Sequence, residues 1–196
     1  MKHGWTKFSL CTSLALGLLS SLAAFAQRSD IALNRANELT VAGLRPGRDT
    51  LAEAFKRYDA KYLSRDPAAE GTKQWRDTCT GRELRVELDG RSLIQAITVS
   101  ALAPKEGQCD YRRFEGLGVK DWYSGRGLRL GDSRDRITLL YGEPNSSGPS
   151  VKGSTEMEFL YYSFDWAGSD VPQVLEIHCA RDTGRVVEIT LAFQSL

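Results

Sequence analysis

The amino-acid sequence predicts an α+β fold: two helix-plus-three-stranded-meander repeats forming an antiparallel sheet, with the helices on one face. Three observations predict it. The pentapeptide Gly43-Leu44-Arg45-Pro46-Gly47 returns 84 residues later as Gly127-Leu128-Arg129-Leu130-Gly131. Each copy runs into a helix-start signal and then into apolar residues at helical spacing. Each helix is followed by short runs in which apolar and polar residues alternate, as in strands with one buried face.

The chain opens on the three parts of a secretory signal. Lys2 and Lys7 supply a positive start, Leu14 to Ala24 is apolar and uncharged, and Ala24-Phe25-Ala26 is a small-x-small cleavage site. The apolar stretch is shorter than the about 20 residues that cross a bilayer, so residues 1–26 are expected to be removed as a signal peptide. Cys11 lies within them, directly after Leu10. The remaining 170 residues hold 24 basic and 25 acidic side chains, a net charge near −1. Such a balance sets up no field that draws nucleic acid or an anionic membrane. No later segment is apolar for long enough to be a transmembrane span, so a periplasmic or secreted product is expected. A chain of this size buries about 70% of its unfolded surface and needs neither metal nor disulfide to fold.

Residues 27–102 are expected to form the first repeat together with an N-terminal segment. Thr50-Leu51-Ala52-Glu53 reads as a capping box, in which a hydroxyl and a carboxylate satisfy orphan N–H groups at a helix start. Leu51, Ala54, Phe55 and Tyr58 then share a helical face. Thr72 to Thr78 reads as a short strand. Glu83 to Leu88 turns Leu84, Val86 and Leu88 inward, and Leu93 to Leu102 returns beside it across a two-residue Asp89-Gly90 hairpin. Residues 103–124 carry Gly107, Gly116 and Gly118 among several acids and read as an exposed linker.

Residues 125–196 are expected to form the second repeat. Asp132 caps a helix that carries Ile137, Leu140 and Tyr141 and stops at Gly142-Glu143-Pro144. Three strands follow: Glu156 to Trp166, Gln173 to Ala180 with Leu175, Ile177 and Cys179 on one face, and Arg185 to Phe193. Trp75 and Trp122 read as packing residues.

Residues 127–144, Gly-Leu-Arg-Leu-Gly-Asp-Ser-Arg-Asp-Arg-Ile-Thr-Leu-Leu-Tyr-Gly-Glu-Pro, resemble the helix signature of the BamE/SmpA/OmlA-type outer-membrane assembly lipoproteins. Those domains pair such a helix with a three-stranded meander. A tandem pair of units resembles the β-lactamase inhibitory proteins, whose concave sheet grips a partner enzyme. The resemblance implies an α+β fold and a protein-interaction role, and it carries no catalytic residues. This chain lacks the acylation cysteine of the assembly lipoproteins.

Motifs for chemistry are few. Beyond the signal peptide the chain has one histidine, His178, which excludes any metal motif needing two. No Gly-x-Ser-x-Gly elbow, phosphate-binding loop, dinucleotide fingerprint or calcium loop is present. No catalytic residue, metal site or cofactor is expected. His178 and Cys179 are neighbours in a strand and so point to opposite faces. Cys179 shares the face of Leu175 and Ile177 and reads as a buried thiol. Cys79 and Cys109 are the candidates for a disulfide, which would enclose about 30 residues and contribute about 2–4 kcal/mol.

The aromatic strand carries the functional expectation. Phe159, Tyr161, Tyr162, Phe164 and Trp166 put rings on both of its faces. The row Tyr162, Phe164 and Trp166 is expected on the open side of the sheet, beside Glu176, His178 and Glu188, as a partner-binding surface. Cover by the first half or the linker is the alternative. The expected function is a non-enzymatic binding protein acting on an exported or envelope protein. An inhibitor of a secreted enzyme and a sensor that stacks a sugar or other small ligand would use the same surface. An enzyme built on Asp165, Glu176 and Glu188 is the reading from another class.

Overall fold

The computed structural model describes residues 37–64, 70–102, 117–164 and 173–193. The expected signal peptide lies outside them. Helix α1 spans Leu51–Arg57 and helix α2 spans Arg134–Tyr141; single 3-10 turns occupy Ala60–Tyr62 and Val119–Asp121. The strands are β1 (Thr72–Asp77), β2 (Arg82–Leu88), β3 (Ile94–Ala101), β4 (Ser146–Lys152), β5 (Thr155–Phe164), β6 (Gln173–Ala180) and β7 (Val186–Phe193). They form one sheet in the order β1-β2-β3-β7-β6-β5-β4, antiparallel at every step.

This overturns the expected pair of helix-plus-three-stranded-meander repeats. The described residues build a single seven-stranded antiparallel sheet with two helices of only seven and eight residues. β3 and β7 join directly, from Ala96↔Ala192 to Ser100↔Glu188, with the hydroxyls of Thr98 and Thr190 2.9 Å apart in mid-ladder. The second half also contributes a fourth strand. β4 reads Ser-Ser-Gly-Pro-Ser-Val-Lys and is largely exposed, so it carries no apolar alternation to announce it. Pro149 is tolerated there because an edge strand has one side without a partner.

Alternation sets the inward face. Trp75, Leu84, Val86, Ile97, Val99, Ile189, Leu191, Leu175, Ile177, Cys179, Leu160 and Tyr162 are buried on one side of the sheet. Against them α1 sets Phe55 and Tyr58, whose rings meet Trp75 at 6.0 and 5.9 Å. α2 sets Tyr141 over Tyr162 and Phe164 at 5.6 and 6.3 Å. Residues 117–124 are no exposed linker: Leu117, Trp122 and Ser124 are buried, and Trp122 meets Tyr58 edge-on. The β2–β3 connection is also wider than a two-residue turn. Asp89 Oδ1 accepts from the N–H groups of Arg91 and Leu93, closing a five-residue loop around it.

The two pentapeptides make the same kind of corner. Gly47 N–H donates to the Ile94 carbonyl and Ile94 N–H to that of Asp49; Gly131 and Asp132 bracket Val186 in the same way. Each motif arginine donates its backbone N–H to an aspartate just before the helix, Arg45 to Asp49 and Arg129 to Asp132. The corners thus fasten the start of each helix to the first residue of β3 and of β7.

Candidate functional site

The face of the sheet turned away from both helices follows from the strand register. One row reads Gln74, Arg85, Thr98, Thr190, Glu176 and Tyr161, and the next reads Arg76, Glu83, Ser100, Glu188, His178 and Phe159. The short side chains of β3 are recessed, with Ala96, Thr98 and Ser100 buried. The longer ones on either side keep partial exposure, except Glu83 and Glu188, which are buried.

Charge on this face is mostly neutralised within it. Arg76 bonds Glu83, and Arg85 Nε lies 3.6 Å from a Glu87 carboxylate oxygen. The Lys152 ammonium, on edge strand β4, spans β5 and β6 to reach Glu188 on β7. Glu188 is consequently 8% exposed. Glu176 differs: among the described residues it makes neither a hydrogen bond nor an ion pair. The rings are contiguous, with Phe159 5.1 Å from His178 and 6.4 Å from Tyr161. Among the described residues, three buried polar atoms of this face have no hydrogen-bond partner: Gln74 Oε1, Arg85 Nε and His178 Nδ1.

The structure places Glu176, His178 and Glu188 on this face, but not the aromatic row expected beside them. Tyr162 is 0% exposed and Phe164 1%, both packed under Tyr141 on the covered side. The Tyr162 hydroxyl donates to the Gly142 carbonyl at the end of α2. The rings that stand with Glu176 and His178 are Phe159 and Tyr161. The physical reason is register: Tyr162 opposes Leu175, and Tyr161 opposes Glu176. A slip of one residue exchanges every side chain between faces. The stretch between β5 and β6 is eight residues long, too long to fix register as a two-residue turn does. Trp166 and Asp165 lie outside the described residues.

Cys79 is disulfide-bonded, and Cys109 lies outside the described residues. Cys179 is a free thiol, fully buried, and burial pushes its pKa up to about 11. Among the described residues no three His, Cys, Asp or Glu side chains are grouped to hold a metal ion, and no helix is long and apolar enough to cross a membrane. His178 Nδ1 meets no carboxylate and Glu188 is held by Lys152, so the described face contains no oriented acid–base pair.

No sequence signal announced two further features. Lys152 sits on the unannounced strand β4. Glu38 is a buried carboxylate that accepts the backbone N–H groups of Leu39, Thr40, Gly125 and Arg126 and the hydroxyl of Tyr141. Burial, with Glu38 alongside, holds the Tyr141 hydroxyl well above the usual phenol range.

No protein-family model matches the chain, and no curated protein matches it. Among solved structures, a DUF4309 family protein (YjgB) from Bacillus subtilis is similar to it over 84% of this chain and 92% of that one, at 10% identity and a TM-score of 0.45.

Proposed function

We propose that this chain is an exported binding protein that captures an envelope or secreted protein on the sheet face opposite its helices. The observation that carries this reading is the ring platform of Phe159, Tyr161 and His178, half-buried, with the His178 Nδ1 left without a hydrogen-bond partner among the described residues. Aromatic side chains beside unpaired polar groups are what the centre of an interface contributes, because they bury area with little loss of rotamer freedom. A sheet face with its long side chains locked in ion pairs suits a partner that docks as a shaped surface. Binding without catalysis agrees with a carboxylate, Glu188, already neutralised by Lys152. The secretory reading of residues 1–26 and the resemblance of residues 127–144 to envelope assembly lipoproteins support the same compartment and role.

The test is site-specific photocrosslinking in the native envelope fraction. Benzoylphenylalanine at position 161 is expected to give a discrete adduct, and at Lys56, on the exposed side of α1, none. The double variant Phe159→Ala/Tyr161→Ala should weaken capture by the wild-type partner at least about tenfold while leaving the unfolding midpoint nearly unchanged. An equal adduct at both positions, or capture unaffected by the double variant, would sink the assignment.

A further inference from the structure

We infer that the β5–β6 half of this face receives an arginine side chain of the partner protein, with Glu176 and Tyr161 as its seat. The inference rests on the interaction role proposed above and names the chemistry of the partner at that site.

Four carboxylates of the described residues stand on this face, at Glu83, Glu87, Glu176 and Glu188. Three have cations from the chain itself: Arg76, Arg85 and Lys152. Among the described residues Glu176 has none, and it is only partly exposed. A carboxylate partly withdrawn from water without a counter-ion is costly unless a cation arrives with the partner.

Geometry narrows the cation. Register sets Tyr161 directly across from Glu176, and Phe159 directly across from His178. Side chains opposed in this way have Cβ atoms about 5 Å apart. The face of an aromatic ring attracts a cation electrostatically. A planar guanidinium stacks on a ring while its N–H fork meets a carboxylate edge, which an ammonium cannot do. His178 Nδ1, buried and unpartnered, adds a third polar atom one pair further along the strand. Lys152, bound to Glu188, bounds the site on that side and disfavours a second cation there.

The test uses defined probes and the whole chain. Acetyl-Gly-Arg-Gly-amide titrated into labelled protein should shift the ring resonances of Tyr161 and His178 in NMR spectra. The citrulline isostere, neutral but of the same shape, should leave them in place; this arm needs no variant. Glu176→Gln, which keeps shape and removes charge, should weaken the arginine probe about three- to fivefold with an unchanged amide spectrum elsewhere. Equal shifts from arginine and citrulline, shifts confined to other regions, or full affinity in Glu176→Gln would overturn the inference. Its failure is separable from that of the binding role. If the position-161 adduct forms equally well in Glu176→Gln, the face binds its partner by another contact. If no adduct forms at all, the binding role itself has failed.

Discussion

The two corners that hold the helices to the sheet start from nearly the same pentapeptide and end on different chemistry. Tyr58 closes α1 by donating its hydroxyl to the carbonyl of Ala42 at 2.6 Å, inside a cluster with Trp75 and Trp122. Tyr141 closes α2 by donating to a carboxylate oxygen of Glu38, also at 2.6 Å, while the Ser124 hydroxyl donates to Tyr141 in turn. One corner is sealed by aromatic packing and a neutral hydrogen bond. The other is sealed by a buried charge with five donors around it. Similar local sequence therefore does not imply similar sensitivity to change: the charged corner concentrates its stability in one residue, and the aromatic corner spreads it over several rings.

Glu38→Ala should break the comparison most sharply. It leaves the buried Tyr141 hydroxyl and the part-buried Arg126 N–H without their acceptor, while the Gly125 N–H keeps the Thr40 carbonyl. An unsatisfied buried donor costs about 1–3 kcal/mol and a part-buried one less, so a total loss of about 2–4 kcal/mol is expected in denaturant unfolding. A loss below about 1 kcal/mol would show that the charged corner is not what holds α2. The second glycine of each motif separates the corners next. Both have positive φ, +72° at Gly47 and +88° at Gly131. A Cβ at Gly47 would come within 2.6 Å of the Phe193 ring, whereas one at Gly131 meets nothing within 4 Å. Gly131→Ala should cost about 1–2 kcal/mol of backbone strain alone. Gly47→Ala should cost a further 1–3 kcal/mol or so, from overpacking. Equal losses would refute the contact. Tyr141→Phe should follow at about 1.5–3 kcal/mol and Tyr58→Phe at about 0.5–1.5, because only the former loses a bond to a charged acceptor; a reversed order in thermal unfolding would contradict this account.

The same contrast explains what the sequence made legible. Elements with apolar alternation could be read from it: Leu84 and Val86 in β2, Leu175, Ile177 and Cys179 in β6, and Ile189 and Leu191 in β7 are buried as period-two patterns require. Joining them was not legible, because pairing of β3 with β7 depends on residues 92 apart, and nothing local specifies it. β4 was silent because a polar edge strand carries no pattern. For the site, alternation showed that β5 offers two rows of rings. Which row faces the helices is set by one residue of register across an eight-residue connection, and Tyr162 and Phe164 fell on the covered side. Glu38 had no signal at all, since two of the four N–H groups it gathers and the Tyr141 hydroxyl come from residues at least 87 positions away.

The helix starts offer the smallest test of the two corners. At α1 the Glu53 carboxylate accepts the backbone N–H of Thr50 at 3.0 Å and also its hydroxyl. Those two hydrogen bonds hold the carboxyl down at about 2, against an ordinary 4.5. At α2 the cap is the Ser133 hydroxyl, which accepts from the Arg136 N–H at 3.4 Å. A carboxyl whose pKa is lower in the folded state adds stability that is complete above its unfolded value and disappears as pH falls through its folded one. The stability difference between wild type and Glu53→Ala should thus hold steady above about pH 5 and shrink toward zero near about pH 2. A hydroxyl does not titrate there, so the difference for Ser133→Ala should stay flat over the same range. Unfolding curves of the three proteins across that range would decide it: a Glu53→Ala difference that does not change with pH would mean that α1, like α2, is capped by neutral groups alone.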